Sequence, residues 1–332
     1  MDYTIKDVAR IAGVSIATAS MALNGKPGPK EETRSRVLEA AKQVGYTPNA
    51  SARTLIKGRS GTIGLVVTDI TNPFFGMLTD EINRCVSRSG YSLSIGVSGD
   101  EPSLEAQAVM RMMEQRAEGV IIVPSASPDY DLSHLYALKN ANIPFVFSTS
   151  KYAGIKADCV MCDLQKGSYM LTEHLLSRGH KRIVIITGQR DTVFSSLRVN
   201  GCRKAFKDAG MEFSEEMIIE SFPNYDGGYS AAKDALCLAP DAVMTINDQM
   251  AMGVISCFKK SGVAIPDDVS VAGYDDLLYT SILETQLTTV RQPVADIAGR
   301  TVETLISLIG GTYSGADTLY VDPVLKIRET TR

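Results

Sequence analysis

Two hydrophobic rhythms divide the chain near Gly61. Before it, apolar residues recur at the three-and-four spacing of helices; after it, Val- and Ile-rich runs alternate with helical stretches. In the first part, Ile5, Val8, Ala9 and Ala12 form one stripe, opened by a capping-box-like Thr4 and Asp7 and stopped by Gly13. Ala9 is small enough to let a second helix cross closely. Ser15 caps that helix, and Ala19, Ala22 and Leu23 give it a core-facing side. Ile16, Ala17, Ser20, Met21 and Asn24 fall on a separate arc about 140° wide, where an ordinary surface helix would be polar. A third helix is predicted over 30–44, covering the pair with Val37, Leu38 and Ala41 and ending at Gly45. Two short helices joined by a glycine turn form a helix-turn-helix pattern, although an unrelated small helical domain has the same outline. After Pro48, residues 50–57 have room for one brief helix, too short to persist without a partner.

Beyond Gly61 the apolar runs fall into two series. The first is 62–68, 91–97, 119–124 and 144–149; the second is 158–163, 182–187, 217–222, 241–246 and 269–274. Each reads as repeated βαβ units, which predicts an α/β core of two doubly wound parallel sheets, hence two lobes with a cleft between them. The expected organisation is a helical head over 1–46, a linker over 47–60 and the two-lobed core over 61–332.

Charge sharpens this division. Residues 1–60 carry ten Lys or Arg against five Asp or Glu, a surplus of +5, and the net charge of −4 leaves −9 for the rest. A basic head on an acidic body points to a polyanion partner once a binding motif accompanies it. At 332 residues and 44% apolar composition the chain can build sizeable cores. It shows no apolar run of membrane-spanning length and no signal-peptide core, so a cytoplasmic protein without a membrane partner is expected. The six cysteines do not form a secreted disulfide framework.

Ligands in open α/β sheets sit beyond the carboxyl ends of the strands. There the sequence places Phe74 and Phe75 after the first strand, Arg198 beyond the 182–187 run, Asn247 and Asp248 after 241–246, and Asp275 and Asp276 after 269–274. Gln292 lies on a segment expected to cross back between the lobes. Aromatic faces with Asp, Asn and Arg suit a polyhydroxylated ligand. Either phenylalanine could instead be core, and Asp248 or Asp276 could be helix caps.

Other chemistry finds little support. There is no GxxxxGK[ST] loop, no HExxH and no GxGxxG turn. His134, His174 and His180 lack metal-ligand spacing, and the single CxxC, Cys159 and Cys162, lies in a predicted strand whose alternation turns the two thiols to opposite faces. No nucleophile–base set is visible, so neither an enzyme nor a cofactor is expected. A sugar-binding transport component would lack the basic head and carry a signal peptide.

The segments TIKDVARIAGVS (4–15), YTPNASARTL (46–55), DITNPFF (69–75), NDQMAMG (247–253), VSVAGYDD (269–276) and LTTVRQP (287–293) together resemble the LacI/GalR family of transcriptional repressors, over essentially the whole chain. The resemblance implies a DNA-binding headpiece, a hinge helix and a periplasmic-binding-protein-like core that binds an effector and dimerises. It implies base-facing roles for Ile16, Ala17 and Met21, phosphate-facing roles for Thr18 and Ser20, and minor-groove insertion by Leu55. Thr4, Ser15, Asn24, Asn49, Ala52 and Arg53 complete the implied DNA-binding set. In the core it implies effector contacts from Phe74, Phe75, Arg198, Asn247, Asp275 and Gln292, with Thr149 where sugar-binding relatives often carry Asp.

The departures from the family pattern carry their own expectations. The recognition helix reads TASMALNG where TVSRVLNG is usual, so Met21 replaces an arginine. Ser51 replaces an apolar hinge residue. Purine-binding members place an arginine near Thr192, whose absence would argue against a purine effector. Leucine heptads are missing beyond Leu325, which favours a homodimer over a tetramer. The implied partners are operator DNA and a small, carbohydrate-like effector.

Overall fold

The computed structural model describes residues 3–46, 59–125, 131–312 and 317–332. The chain divides after Gly61 into two compact units. The predicted hinge helix, with Asn49, Ala52, Arg53 and Leu55, lies outside the described residues.

In the first unit, α1 (Ile5–Ala12), α2 (Ile16–Leu23) and α3 (Glu31–Gln43) pack around Val8, Ala9, Ala19, Ala22, Val37 and Ala40. Asp7 accepts the Thr4 backbone N–H at 3.0 Å and the Thr4 hydroxyl at 2.8 Å, fixing the start of α1. Gly13 ends it at φ +65°, a turn that glycine adopts without steric cost. Ser15 Oγ accepts the Thr18 N–H at 3.1 Å and starts α2. One expected core residue is misplaced: Leu38 is 49% exposed, and Ala40, a turn beyond Val37, fills the interior beside Ala41. Mixed residues at both 37–38 and 40–41 allow two stripes a small rotation apart, and the smaller alanines win where three short helices meet tightly.

The second unit holds two parallel sheets. Lobe one is ordered β11-β5-β4-β3-β1-β2, from β1 (Thr62–Val67), β2 (Ser92–Val97), β3 (Gly119–Ile122), β4 (Phe145–Ser148), β5 (Asp158–Cys162) and β11 (Thr318–Val321). Around it lie α4 (Pro73–Arg88), α5 (Pro102–Glu114), α6 (Ser133–Asn140) and α11 (Val294–Ile309). Lobe two is ordered β7-β6-β8-β9, from β6 (Ile183–Thr187), β7 (Ile218–Glu220), β8 (Ala242–Thr245) and β9 (Ser270–Ala272), with α7 (Leu164–Ser177), α8 (Val193–Asp208), α9 (Tyr225–Cys237) and α10 (Asp248–Lys260). β10 (Thr289–Arg291) and β12 (Val324–Lys326) pair antiparallel as separate strands.

The expectation that the 158–163 run opens the second series is corrected here. β5 pairs with β4 and β11 and so belongs to lobe one. A fully buried parallel strand reads alike in either sheet, and only the connection that follows assigns it. The chain therefore passes between lobes three times: after β5, along β10 into α11, and from β11 through β12 to residues 329–331, where Thr330 O accepts the Val271 N–H at 2.9 Å.

Helix packing in lobe two rests on backbone proximity. A Cβ on Gly201 of α8 would stand 2.2 Å from Gln165 O and 2.9 Å from Tyr169 N of α7. Nothing lies within 4 Å of the corresponding point on Gly299 in α11. Gly201→Ala is accordingly expected to lower the unfolding free energy by about 1–3 kcal/mol, whereas Gly299→Ala should raise it by about 0.5–1 kcal/mol. Urea titrations of both variants distinguish the sites; equal effects would contradict the close crossing.

Candidate functional site

In the helix-turn-helix unit, the unusual arc of α2 is exposed at its start and partly covered at its end. Ile16 is 47% exposed and Ala17 is exposed beside it. Met21 is half-buried: its Sδ lies 3.5 Å from where a Cβ on Gly28 would stand, so part of its surface rests on the turn before α3. Thr18 and Ser20 are half-buried, with the Thr18 hydroxyl 2.8 Å from Ser15 Oγ. Asn24 turns back on its own helix, donating to Ser20 O at 2.7 Å.

In the core, the carboxyl end of β9 carries a buried pair of adjacent carboxylates, both at positive φ. Asp275 is 5% exposed and sits at φ +113°, followed by Asp276 at φ +58°. Both conformations are unusual for non-glycine residues, and the left-handed region costs energy unless neighbours hold it. The two carboxylates diverge. Asp275 Oδ1 accepts Gln292 Nε2 at 2.7 Å and lies 4.0 Å from Arg198 Nη2. Asp276 is ion-paired with Arg291 and Arg328, so it is a salt-bridge anchor and not a helix cap. Arg198 is buried, stacks 4.3 Å from the Tyr274 ring centre, and donates through Nη1 to Phe194 O at 3.3 Å. Its Nε is buried with no hydrogen-bond partner among the described residues. A buried guanidinium N–H without a partner is uncommon, because buried polar groups are nearly always hydrogen-bonded.

The structure thus brings Arg198, Asp275 and Gln292 together. Asn247 is buried at the end of β8, but its Oδ1 caps α10 through the Met250 N–H at 2.8 Å and its Nδ2 donates to Pro223 O at 2.8 Å. Thr149 ends β4 at φ +67°, its N–H donating to Val160 O at 2.8 Å. Phe74 is 5% exposed within the lobe-one core, and Phe75 is half-buried edge-on to it with centroids 5.3 Å apart. Asn72 sets both rings by accepting the Phe74 N–H at 3.1 Å at the start of α4.

Sequence reading passed over other groups. Thr68 and Thr187 close β1 and β6, and Ser195 lies one turn before Arg198; each has a buried hydroxyl without a partner among the described residues. For the two threonines the signal was a hydroxyl residue placed at a strand end. Glu105, wholly buried, accepts from Ser125, Tyr152 and His134, and nothing in its helical pattern announced it. Arg190, two residues before Thr192, corrects the expectation that this loop lacks an arginine; it is paired with Glu220 and Glu215.

The chain has known relatives. The family described as periplasmic binding proteins and sugar binding domain of LacI family matches residues 60–319, and bacterial regulatory proteins, lacI family, matches residues 4–49. The chain belongs to the LacI family. It is 31% identical over 330 residues to the HTH-type transcriptional regulator GalR of Salmonella typhimurium, covering 98% of this chain and 95% of that one. It is 34% identical over 312 residues to the HTH-type transcriptional repressor PurR of Aliivibrio fischeri, covering 92% and 91%. The lac repressor dimer bound to operator and the anti-inducer ONPF superposes with a TM-score of 0.87 at 25% identity, covering 100% and 99%. The transcriptional regulator CelR–cellobiose complex gives 0.74 at 28% identity, covering 99% of each chain. LacI-family relatives such as these are transcriptional regulators and not enzymes. No helix among the described residues is long and apolar enough to cross a membrane.

Burial pushes the Asp275 carboxyl up to about 7, against the opposing pull of Arg198 and the Gln292 hydrogen bond. The folded chain therefore holds a proton there that an unfolded carboxyl near 3.8 has released, and this group's contribution to stability falls as pH rises from about 4 to about 7. Guanidinium unfolding at pH 5 and pH 8 should show a larger loss with rising pH for the parent than for Asp275→Asn. Identical pH slopes would place the titrating proton elsewhere.

Proposed function

We propose that this chain is an operator-binding repressor whose affinity for DNA is set by a small carbohydrate or related polyol held between the core lobes. Residues 1–46 serve as the DNA-binding headpiece, 47–60 as the hinge and 61–332 as the effector core, acting on DNA in the bacterial cytoplasm. The observation that carries the effector reading is the buried Arg198–Asp275–Gln292 group, in which the Arg198 Nε donor has no partner among the described residues. A guanidinium and a carboxylate 4.0 Å apart match neighbouring hydroxyls, one accepting from Arg198 and the other donating to Asp275. Phe75, half-buried at the opposite lobe's strand end, offers a ring face to sugar C–H groups. The CelR complex, whose ligand is cellobiose, supports the same class. Asp275→Ala should weaken effector binding by about 2 kcal/mol or more, near 30-fold. Calorimetry against the best ligand from a sugar screen checks this, and parental affinity would overturn the site.

The hinge segment is too short for a stable lone helix, so it should order when two copies meet on DNA and Leu55 enters a base step. Lobe closure on the effector then changes hinge spacing and shifts that equilibrium. A second copy is also favoured by surface chemistry. The edge strand β2 leaves Ile95 49% and Val97 44% exposed, without the charges that usually protect an edge, and Leu278 and Ile282 are 77% and 73% exposed. Sedimentation should report a homodimer, and Leu278→Asp combined with Ile282→Asp should shift it toward monomer; a monomeric parent would remove this reading.

Ile16, Ala17 and Met21 cannot make strong hydrogen bonds to bases, so direct readout reduces to thymine methyl groups and groove shape. Affinity should then come from phosphates and the hinge, with steep salt dependence. Met21→Arg is expected to move the preferred base toward guanine at one position per half-site, by about 1–3 kcal/mol. Binding-site selection on both proteins reads this directly; an unchanged consensus would assign Met21 to packing on the Gly28 turn.

A further inference from the structure

Asp275 faces Arg198 only because its backbone is held in a conformation that L residues avoid. The hydrogen bonds that hold it form a short ladder against β10. The Asp275 N–H donates to Val290 O at 2.8 Å, and the Asp276 N–H reaches Thr289 Oγ1 at 3.4 Å. The Leu277 N–H then donates to Asp248 Oδ2 at 2.8 Å, and the Thr289 hydroxyl donates to Asp248 Oδ1 at 2.6 Å. One carboxylate therefore closes the ladder, with one oxygen on the strand-end loop and the other on the crossing strand. Asp248 is 0% exposed, so it cannot touch a ligand. The chain runs so tightly over it that a Cβ on Gly273 would stand 2.3 Å from Oδ1. Asp248 is also the first residue of α10, next to Asn247, which caps that helix.

We propose that Asp248 is a positioning residue for the effector site: by stapling Leu277 to Thr289 it fixes the Asp275–Asp276 turn, sending one carboxylate toward Arg198 and the other toward Arg328. This rests on the effector reading given above. Burying a carboxylate is costly, and a role confined to stability would be served as well by an apolar contact. Two hydrogen-bonded oxygens instead give direction, which packing alone does not supply. Asparagine at this position keeps an acceptor for the Leu277 N–H and can donate to the Thr289 hydroxyl, so it preserves the staple without the charge.

The test uses the full-length protein and, as probe, the tightest binder among D-ribose, D-galactose and cellobiose. Circular dichroism melts confirm that each variant is folded at the assay temperature. Asp248→Ser should weaken probe binding at least tenfold, and Asp248→Asn should stay within about threefold of the parent. Asp275→Asn supplies the second arm of a double-mutant cycle. If Asp248 acts through Asp275, the doubly substituted protein binds no more weakly than Asp275→Asn alone. Additive losses, parental affinity in Asp248→Ser, or a collapse in Asp248→Asn equal to that in Asp248→Ser would each overturn the proposal. Parental affinity in Asp275→Asn, or no probe binding by the parent, would instead remove the effector reading and this inference with it.

Discussion

A charge taken out of water must be answered by another charge or by hydrogen bonds, and the end of β9 shows how much structure that requires. Asp275 is held by Gln292 from the crossing segment and by Arg198 from α8, and Arg198 in turn lies over Tyr274. Asp276, its chain neighbour, is neutralised by Arg291 and Arg328 from two different crossings. Strand end, helix and interlobe segments thus meet around two adjacent carboxylates. The compensation is incomplete: one guanidinium donor has no partner among the described residues, and burial still raises the Asp275 carboxyl, a shift of the kind that clusters at functional sites.

The same logic appears in lobe one with a different outcome. Glu105 is as deeply buried as Asp248, yet the donors from Ser125, Tyr152 and His134 together outweigh burial and hold its carboxyl below the usual range. Its partners come from the segments following β3 and β4, so a carboxylate organises the strand ends there too. Each lobe therefore contains a buried acid bonded to the segments at its strand ends, its carboxyl held below the usual range in one and pushed toward the protonated form in the other.

Much of this architecture was legible in the sequence because its signals are local. Gly13, Ser15 and the Thr4–Asp7 pair mark helix ends through hydrogen bonds spanning two to four residues, and the structure makes those bonds. The strand ends were legible for the same reason, and they led to Arg198, Asp275 and Gln292. Sheet membership was not legible: the run at β5 is buried along its whole length, and such a strand reads alike whether it pairs back with β4 or forward into the next sheet. Leu38 failed because helical periodicity fixes a stripe only to within a residue. Asp248 was visible as a polar residue after a strand, but its partners Leu277 and Thr289 are distant in sequence, so a cap was an equally good reading.

The three crossings bear on how the protein is made. Lobe two gains late hydrogen bonds from residues 329–332: Thr330 accepts the Val271 N–H, its hydroxyl accepts the Thr288 N–H at 2.8 Å, and Arg332 donates to Asp267 O at 2.7 Å. Lobe one likewise waits for β11 to border β5. A ribosome delivers these segments after everything they complete, so neither lobe has its full set of hydrogen bonds until they arrive. The headpiece, whose core residues all lie within the first 46 positions, faces no such delay. A nascent chain can therefore complete the core of its helical unit before the strand order of either lobe is filled.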